Sequence, residues 1–82
     1  MESEVISLYI RIRNLREDKD MSQTHMAEIL NCSQRIYSNY ERGEVDIPTA
    51  ILIEIARFHN VSTDYLLGLT EHKKPYPQKG KS

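Results

Sequence analysis

The chain has 82 residues, which is enough for one small domain. A chain of this length buries only about 60% of its unfolded surface, so little room remains for an enzyme pocket beside the core. Hydrophobic residues make up 39% of the sequence, which favours a globular fold over disorder. The longest apolar run covers residues 50–53, far short of the roughly 20 residues that span a bilayer. The acidic N-terminus is unlike a signal peptide, so we expect a cytoplasmic protein.

Charge is unevenly distributed along the chain, although the net value is −1. Residues 1–70 contain seven Arg and Lys against eleven Asp and Glu, whereas residues 71–82 contain four Lys and one Glu. An acidic body is unusual in a protein that binds a polyanion, because such binding depends on cationic contacts.

Residues that carry chemistry are sparse. Cys32 is the only cysteine, so no intrachain disulfide forms. The histidines, which are too scattered to suggest a metal site, are His25, His59 and His72. The sequence contains no Ser/His/Asp set, no CxxC, no glycine-rich phosphate loop and no glycine-flanked nucleophile. We therefore predict no catalytic residue, metal, cofactor or small-molecule ligand.

The first predicted helix runs from about Glu4 to Lys19. Apolar residues recur there at three and four positions, which is the spacing of one helical face. The residues that share this face are Val5, Leu8, Ile12 and Leu15. Asp20 then interrupts the pattern.

Three serines mark the starts of later helices. A serine hydroxyl at the N-cap accepts a hydrogen bond from a backbone N–H that has no partner within the helix. Ser22, Ser33 and Ser62 are each flanked by an apolar pair at the N′ and N4 positions, the arrangement called a hydrophobic staple. These pairs are Met21 and Met26, Cys32 and Tyr37, and Val61 and Leu66. Each predicted start therefore has a local physical cause.

The ends of these helices are also marked. Asn31 and Gly43 suit the left-handed position after a helix, so they end the second and third helices. Pro48 fits the first turn of a fourth helix, Asn60 closes it, and a short fifth helix covers about 63–67. The fourth-helix residues expected to face the core are Leu52, Ile55, Ala56 and His59. No segment alternates with a period of two, so the predicted fold class is all-α.

Apolar periodicity stops at residue 70. The stretch 70–82 contains two prolines, one glycine and four lysines, a composition typical of a mobile segment. We predict a folded domain over residues 1–69 and a basic, mobile C-terminal tail over 70–82. The tail serves either as a solubilising end or as a basic arm that contacts a partner, and the sequence leaves both open.

Two short helices joined by a turn of about three residues are the central feature. Such a turn forces a steep crossing, typical of a helix-turn-helix unit whose second helix fits a major groove roughly 12 Å wide. Residues in and around this unit are Ser22-Gln23, Ala27, Ile29-Leu30, Ser33-Gln34, Tyr40-Glu41-Arg42-Gly43, Pro48, Ala56, Val61-Ser62 and Leu66-Leu67. In this order and spacing they resemble the phage repressor and Cro family, the XRE-type regulators, over about residues 8–69.

The resemblance implies a compact five-helix, lambda-repressor-like DNA-binding domain whose third helix, starting at Ser33, is the recognition helix. It implies that the groove-facing side chains are Gln34, Arg35, Ser38 and Asn39. Helical spacing agrees, because Tyr37 and Tyr40 are three apart and point inward together. Gln and Asn amides can bond adenine N6 and N7, and Arg can bond guanine O6 and N7. Without the resemblance, a solvated polar face would explain the same residues.

Other implied roles concern the DNA backbone and the interior. The N-terminus of the second helix can hold a phosphate, and the resemblance implies that Gln23 clamps it, with Thr24 as a second candidate. Ser33 and Arg42 complete the predicted DNA-contacting set. The resemblance also implies an internal ion pair between Arg16 and Glu41.

One departure from the family concerns charge. Glu44 and Asp46 stand where family members often carry Lys or Arg, and residues 22–43 are neutral overall. We therefore expect weak non-specific binding that relies on helix N-termini, Arg35, Arg42 and the tail lysines.

Our leading hypothesis is a sequence-specific transcriptional regulator, acting as a repressor, that binds double-stranded DNA as a homodimer and does no chemistry. Specific repressors of this kind read two half-sites about 34–36 Å apart, which requires two-fold symmetry. The alternative is a protein-interaction module of the same fold, of antitoxin or antagonist type, with weak or no DNA binding. The acidic loop after the third helix suits that alternative.

Overall fold

The computed structural model describes residues 9–75. Within them the chain forms five α-helices and no strand. These helices are α1 (Ile10–Asp18), α2 (Gln23–Leu30), α3 (Gln34–Arg42), α4 (Thr49–His59) and α5 (Thr63–Leu66). The predicted all-α class with five helices is confirmed. No helix of the described part is long and apolar enough to cross a membrane.

The predicted start of the first helix, at Glu4, lies outside the described residues. Within them, α1 begins at Ile10, with Tyr9 as the N-cap at φ −107° and ψ 31°. Tyr9 is only 7% exposed, so it packs into the core just before the helix. Val5 and Leu8 lie outside the described residues.

The serine caps confirm the predicted starts of the three later helices. The Ser22 hydroxyl accepts from the backbone N–H of His25 at 3.0 Å, and that of Ser33 accepts from Ile36 at 3.1 Å. Ser62 caps α5 in the same way. Pro48 is the N-cap of α4 rather than a member of its first turn, and α4 begins at Thr49.

Each described helix is followed by a residue in the left-handed conformation. These residues are Asp20, Asn31, Gly43, Asn60 and Gly68. The chain reversal brings the next N–H back to a carbonyl in the last helical turn; after α2, Cys32 N donates to Ala27 O at 2.9 Å. This hydrogen bond satisfies a carbonyl that the helix leaves free. The helix ends predicted at Asn31, Gly43 and Asn60 are confirmed.

One core lies among all five helices of residues 9–75. α2 packs on α3 and α4, and α1 packs on α3 and α5. The largest fully buried side chains of the core are Tyr37, Ile12, Met26, Ile55 and Leu66. On α4, Ile55, Ala56 and His59 are buried as predicted, whereas Leu52 is only partly buried.

The chain stays attached to the body beyond the predicted boundary at residue 69. The Arg11 guanidinium donates to the carbonyl oxygens of Tyr65 and Thr70 at 3.0 and 2.6 Å and pairs with Glu71 at 3.0 Å. Ser62 N donates to Lys73 O at 2.8 Å. Arg11 and Ser62 therefore hold residues 70–73 against α1 and α5. The rest of the predicted tail, residues 76–82, lies outside the described part, so the tail's function stays a prediction.

Candidate nucleic-acid interface

The α2–α3 pair is held by a buried seam. Met26, Ala27 and Leu30 line the inner side of α2, while Tyr37 and Tyr40 line that of α3. Tyr37 is 0% exposed and Tyr40 is 7% exposed, which confirms that both tyrosines point inward. Because these two residues fix the rotation of α3 about its axis, the opposite side of the helix faces solvent.

The predicted groove-facing residues do not all share that outer side. Gln34, Arg35 and Arg42 are exposed, and Asn39 is half-buried. Ser33 is exposed at the N-cap, where its hydroxyl is already used. Gln34 and Arg35 thus lie at the start of α3, Asn39 in its middle and Arg42 at its end.

Ser38 was expected to face the groove, and the structure corrects that expectation. The residue is only 9% exposed. Its hydroxyl accepts a hydrogen bond from Arg42 Nη1 at 2.6 Å. In a helix, residue 38 lies one quarter-turn from Tyr37, at the border of the buried face, and the Arg42 side chain folds over it. Ser38 therefore positions Arg42, and most of its own side chain is covered.

Ile36 belongs to the outer face and was missed by the sequence reasoning. It is 39% exposed and lies one position after Arg35 and three before Asn39. An exposed apolar side chain beside polar readers can contact the methyl group of thymine. The sequence gives only a partial signal for it, because residue 36 lies three positions before Asn39 but also four positions before the inward-facing Tyr40.

The helix N-termini meet through two glutamine amides. Gln34 Nε2 donates to Gln23 Oε1 at 2.7 Å, and Gln23 Nε2 donates to Glu41 Oε1 at 3.1 Å. Gln23 is therefore held from both sides, next to the free N–H groups at the start of α2. Thr24 is exposed in the same helical turn. The arrangement brings two predicted DNA-contacting residues, Gln23 and Gln34, together.

Beneath this pair lies the predicted ion pair, which the structure confirms. Arg16 Nε lies 2.6 Å from Glu41 Oε2, and Arg16 Nη2 lies 3.1 Å from Glu41 Oε1. The two side chains are 11% and 3% exposed. Burial acts to raise the pKa of Glu41, but the hydrogen bonds from Arg16 and Gln23 outweigh it and hold that pKa below its usual range. Hydrogen bonding to Glu41 likewise raises the pKa of Arg16.

At the far end of α3, Arg42 is engaged by neighbouring side chains. Its Nε and Nη2 atoms lie 3.2 Å from the two oxygens of Glu44. Nη2 also donates to Asn39 Oδ1 at 2.7 Å. Hydrogen bonding to Arg42 holds the pKa of Glu44 below its usual range. The positive charge expected to meet DNA at Arg42 is therefore balanced within the protein.

Arg35 differs from Arg42. It is exposed, and it has neither an ion pair nor a hydrogen bond within residues 9–75. Arg13, Arg16 and Arg42 line a shallow cleft between α1 and α3, but each pairs there with a glutamate. Arg35 is thus the cation of α3 that is ready to meet an anion. In the described part, no group of His, Cys, Asp and Glu has an arrangement that could hold a metal ion.

Comparisons with known proteins agree with this geometry. A sequence profile of the helix-turn-helix family matches residues 12–66. The transcriptional regulator ImmR of Bacillus subtilis (strain 168) is 41% identical over 69 residues, which cover 84% of this chain and 54% of ImmR. The HTH-type regulator YobD of the same organism is 34% identical over 65 residues, 79% of this chain and 58% of its own. The chain thus spans little more than half the length of these relatives.

Solved structures show the same fold. The P22 c2 repressor, determined in complex with synthetic operator 9T, superposes with a TM-score of 0.72 at 24% identity and covers 80% of this chain and 100% of its own. The regulator ClgR from C. glutamicum superposes with a TM-score of 0.65 at 24% identity, covering 76% and 80%. The predicted lambda-repressor-like fold is confirmed.

Proposed function

Because this chain belongs to the helix-turn-helix family, we propose that it binds duplex DNA sequence-specifically and regulates transcription, with α3 in the major groove. The observation that carries the proposal is the outer face of α3. Gln34, Arg35 and Asn39 reach solvent there, while Tyr37 and Tyr40 fix the helix from inside. Arg and Asn can each make two hydrogen bonds to a purine, and such pairs discriminate by about 1–3 kcal/mol.

The N-terminus of α2 supplies a phosphate contact in this proposal. Its free N–H groups and partial positive charge favour an anion, and Gln23 and Thr24 lie in its first turn. The Gln34 amide donates to Gln23, which leaves Gln34 Oε1 available to accept from the exocyclic amine of a base. One glutamine thus contacts the backbone and its partner contacts a base edge.

Low net charge shapes the binding mode. The two arginines of residues 22–43 are matched by two glutamates, so each domain offers few cationic phosphate contacts. Each neutralised phosphate contributes about −0.9 to the slope of log affinity against log salt. Since Arg42 is paired with Glu44, Arg35 is the main cationic contact and the slope is only about −1 per domain, so affinity rests largely on base contacts and helix N-termini.

Repression and dimerisation complete the proposal. A single domain of this size buries roughly 600–1,000 Å² on DNA, whereas two domains related by two-fold symmetry read two half-sites. We assign the protein a homodimeric state, formed near α5, in the cytoplasm, where it would block transcription by occupying its operator.

The protein-interaction module remains a second candidate, on a specific observation. Arg42, at the end of the proposed reading face, is paired with Glu44, and Asp46 is exposed in the same loop. Because Glu44 neutralises Arg42 on this face of α3, the face could bind a partner protein as well as DNA. Binding of DNA separates the two candidates.

Selection of bound duplexes from a random pool tests the proposed function. At low salt we expect enrichment of a palindromic sequence whose half-sites lie one helical turn apart. Arg35→Ala and Asn39→Ala should relax the selected bases at one position each, because each removes a base contact. Arg57→Ala, which removes an exposed arginine from α4, is the matched control and should select the parental sequence. An unenriched pool, or the same sequence and affinity from the α3 variants, would refute the proposal.

A further inference from the structure

We propose that Glu44 is an internal competitor for DNA phosphate at Arg42 and attenuates the sequence-independent affinity of the protein. The inference rests on the proposed function, since it concerns the same face of α3. It assigns a function to the acidic loop, which otherwise opposes DNA binding.

The geometry of the pair is that of a phosphate contact. An arginine fork binds a carboxylate and a phosphate in the same two-point manner. Arg42 meets both oxygens of Glu44 in this way, through Nε and Nη2, at 3.2 Å each. The carboxylate therefore occupies the edge of the guanidinium that a phosphate would use.

The pair is accessible and replaceable. The Arg42 side chain is 54% exposed and the Glu44 side chain is 59% exposed, so solvent and salt screen their attraction. A weak exposed pair can exchange its anion without unfolding any part of the helix. By contrast, the buried pair of Arg16 and Glu41, 11% and 3% exposed, is unavailable for exchange.

Two further contacts keep Arg42 at the interface while the anion changes. Nη1 donates to Ser38 Oγ at 2.6 Å, and Nη2 donates to Asn39 Oδ1 at 2.7 Å. Both acceptors belong to α3, so the guanidinium stays beside Asn39 whether its partner is a carboxylate or a phosphate. Ser38 and Asn39 thus act as positioning residues for Arg42.

The consequence is a uniform reduction in affinity. Phosphate contacts carry no sequence information, so a competitor at one of them weakens binding to operator and random DNA by the same factor. The specificity ratio is unchanged, but the fraction of protein held on random DNA falls. When Arg42 binds a DNA phosphate, the Glu44 carboxylate loses its ion pair and repels the nearby DNA backbone.

The test is a salt series of binding measurements by fluorescence anisotropy on the full chain. The probes are the duplex obtained by selection and a random duplex of equal length. Glu44→Gln should raise affinity for both duplexes roughly five- to tenfold at 0.1 M salt, and the salt slope should steepen by about one unit. Far-ultraviolet circular dichroism verifies that each variant is folded.

The matched control is Asp46→Asn, which removes one negative charge from the same loop but lies outside the Arg42 ion pair. It should change affinity by much less than Glu44→Gln. In the Arg42→Gln background, Glu44→Gln should produce little further gain, because its effect requires Arg42.

The measurements on these variants can contradict the inference in several ways. Equal gains from Glu44→Gln and Asp46→Asn would overturn the inference in favour of a general charge effect, and so would a full gain in the Arg42→Gln background. If the wild-type chain binds the selected duplex and Glu44→Gln does not change its affinity, this inference is contradicted and the proposed function is not. A wild-type chain that binds neither duplex contradicts the proposed function, and this inference with it.

Discussion

Replacing Glu41 by glutamine should destabilise the protein strongly. Glutamine keeps the shape of the side chain and one acceptor oxygen, so the hydrogen bond from Gln23 can persist. The substitution removes the charge that balances Arg16, whose guanidinium lies 2.6 and 3.1 Å from the two carboxylate oxygens. The structural change is therefore small and the electrostatic change large.

The magnitude follows from burial. The Arg16 side chain is only 11% exposed, so the variant leaves a charge that water barely reaches and whose remaining counter-charge is Glu17, 4.0 Å away. Removing one partner of a buried pair costs about 3–5 kcal/mol, a large part of the roughly 5–15 kcal/mol that holds a native domain together. For a domain of this size the melting temperature should fall by at least about 12 °C.

Urea and thermal unfolding followed by circular dichroism measure this loss. Glu28→Gln is the matched control, because Glu28 is exposed on α2; its effect should stay within about 0.5 kcal/mol. The pKa of Glu41 lies below its usual range in the folded state, so its contribution is present above the unfolded pKa and disappears as pH falls through the folded one. A Glu41→Gln loss below about 1 kcal/mol would refute the reasoning, since the pair would then behave as a surface pair.

Two further predictions concern α4 and the C-terminal segment. Burial, and secondarily the charge of Lys19, lowers the pKa of His59 to about 4; stability should therefore be full above pH 6.5 and fall by up to roughly 3 kcal/mol as pH drops through the folded pKa. Urea unfolding of His59→Leu should show a flatter profile between those values than the parent, and an identical profile would contradict the prediction. Arg11→Gln should release residues 70–73, because it removes the charged donor to Thr70 and Glu71. Trypsin should then cut after Lys73 faster than in the parent, and equal rates would contradict the docking.

Helix limits after residue 20 were predictable because their causes are local. Ser22, Ser33 and Ser62 each cap a helix through an atom three residues away. Asn31 and Gly43 adopt the left-handed conformation for which their side chains are suited. Such interactions depend on neighbours in the sequence, so a pattern of a few residues is sufficient to identify them.

Sequence patterns do not reveal partners that are distant in the sequence or side chains that fold back. Arg11 reaches acceptors at residues 65–71, and such a contact leaves no periodic signal in the sequence. Ser38 lies at the border of the buried face, where the position of Arg42 decides its exposure. The Arg42–Glu44 pair was likewise invisible, because composition showed an acidic loop without showing what it neutralises.

The family resemblance supplied what local patterns alone could not. Apolar residues at helical spacing and helix caps predict five helices, but they do not say which helix meets a partner. The pairing of Arg16 with Glu41 was implied by the resemblance, and the structure shows it. The exposure of Ile36 is known from the structure, since the spacing of residue 36 from Tyr40 alone would place it nearer the buried side of α3.

Mapping of backbone amide shifts by ¹H–¹⁵N NMR during titration with the selected duplex tests the central claim most directly. We expect the largest changes at the N-terminus of α2 and on the outer face of α3, at Gln23, Gln34, Arg35 and Asn39. Changes centred on α4 and α5, with α3 unaffected, would contradict that claim.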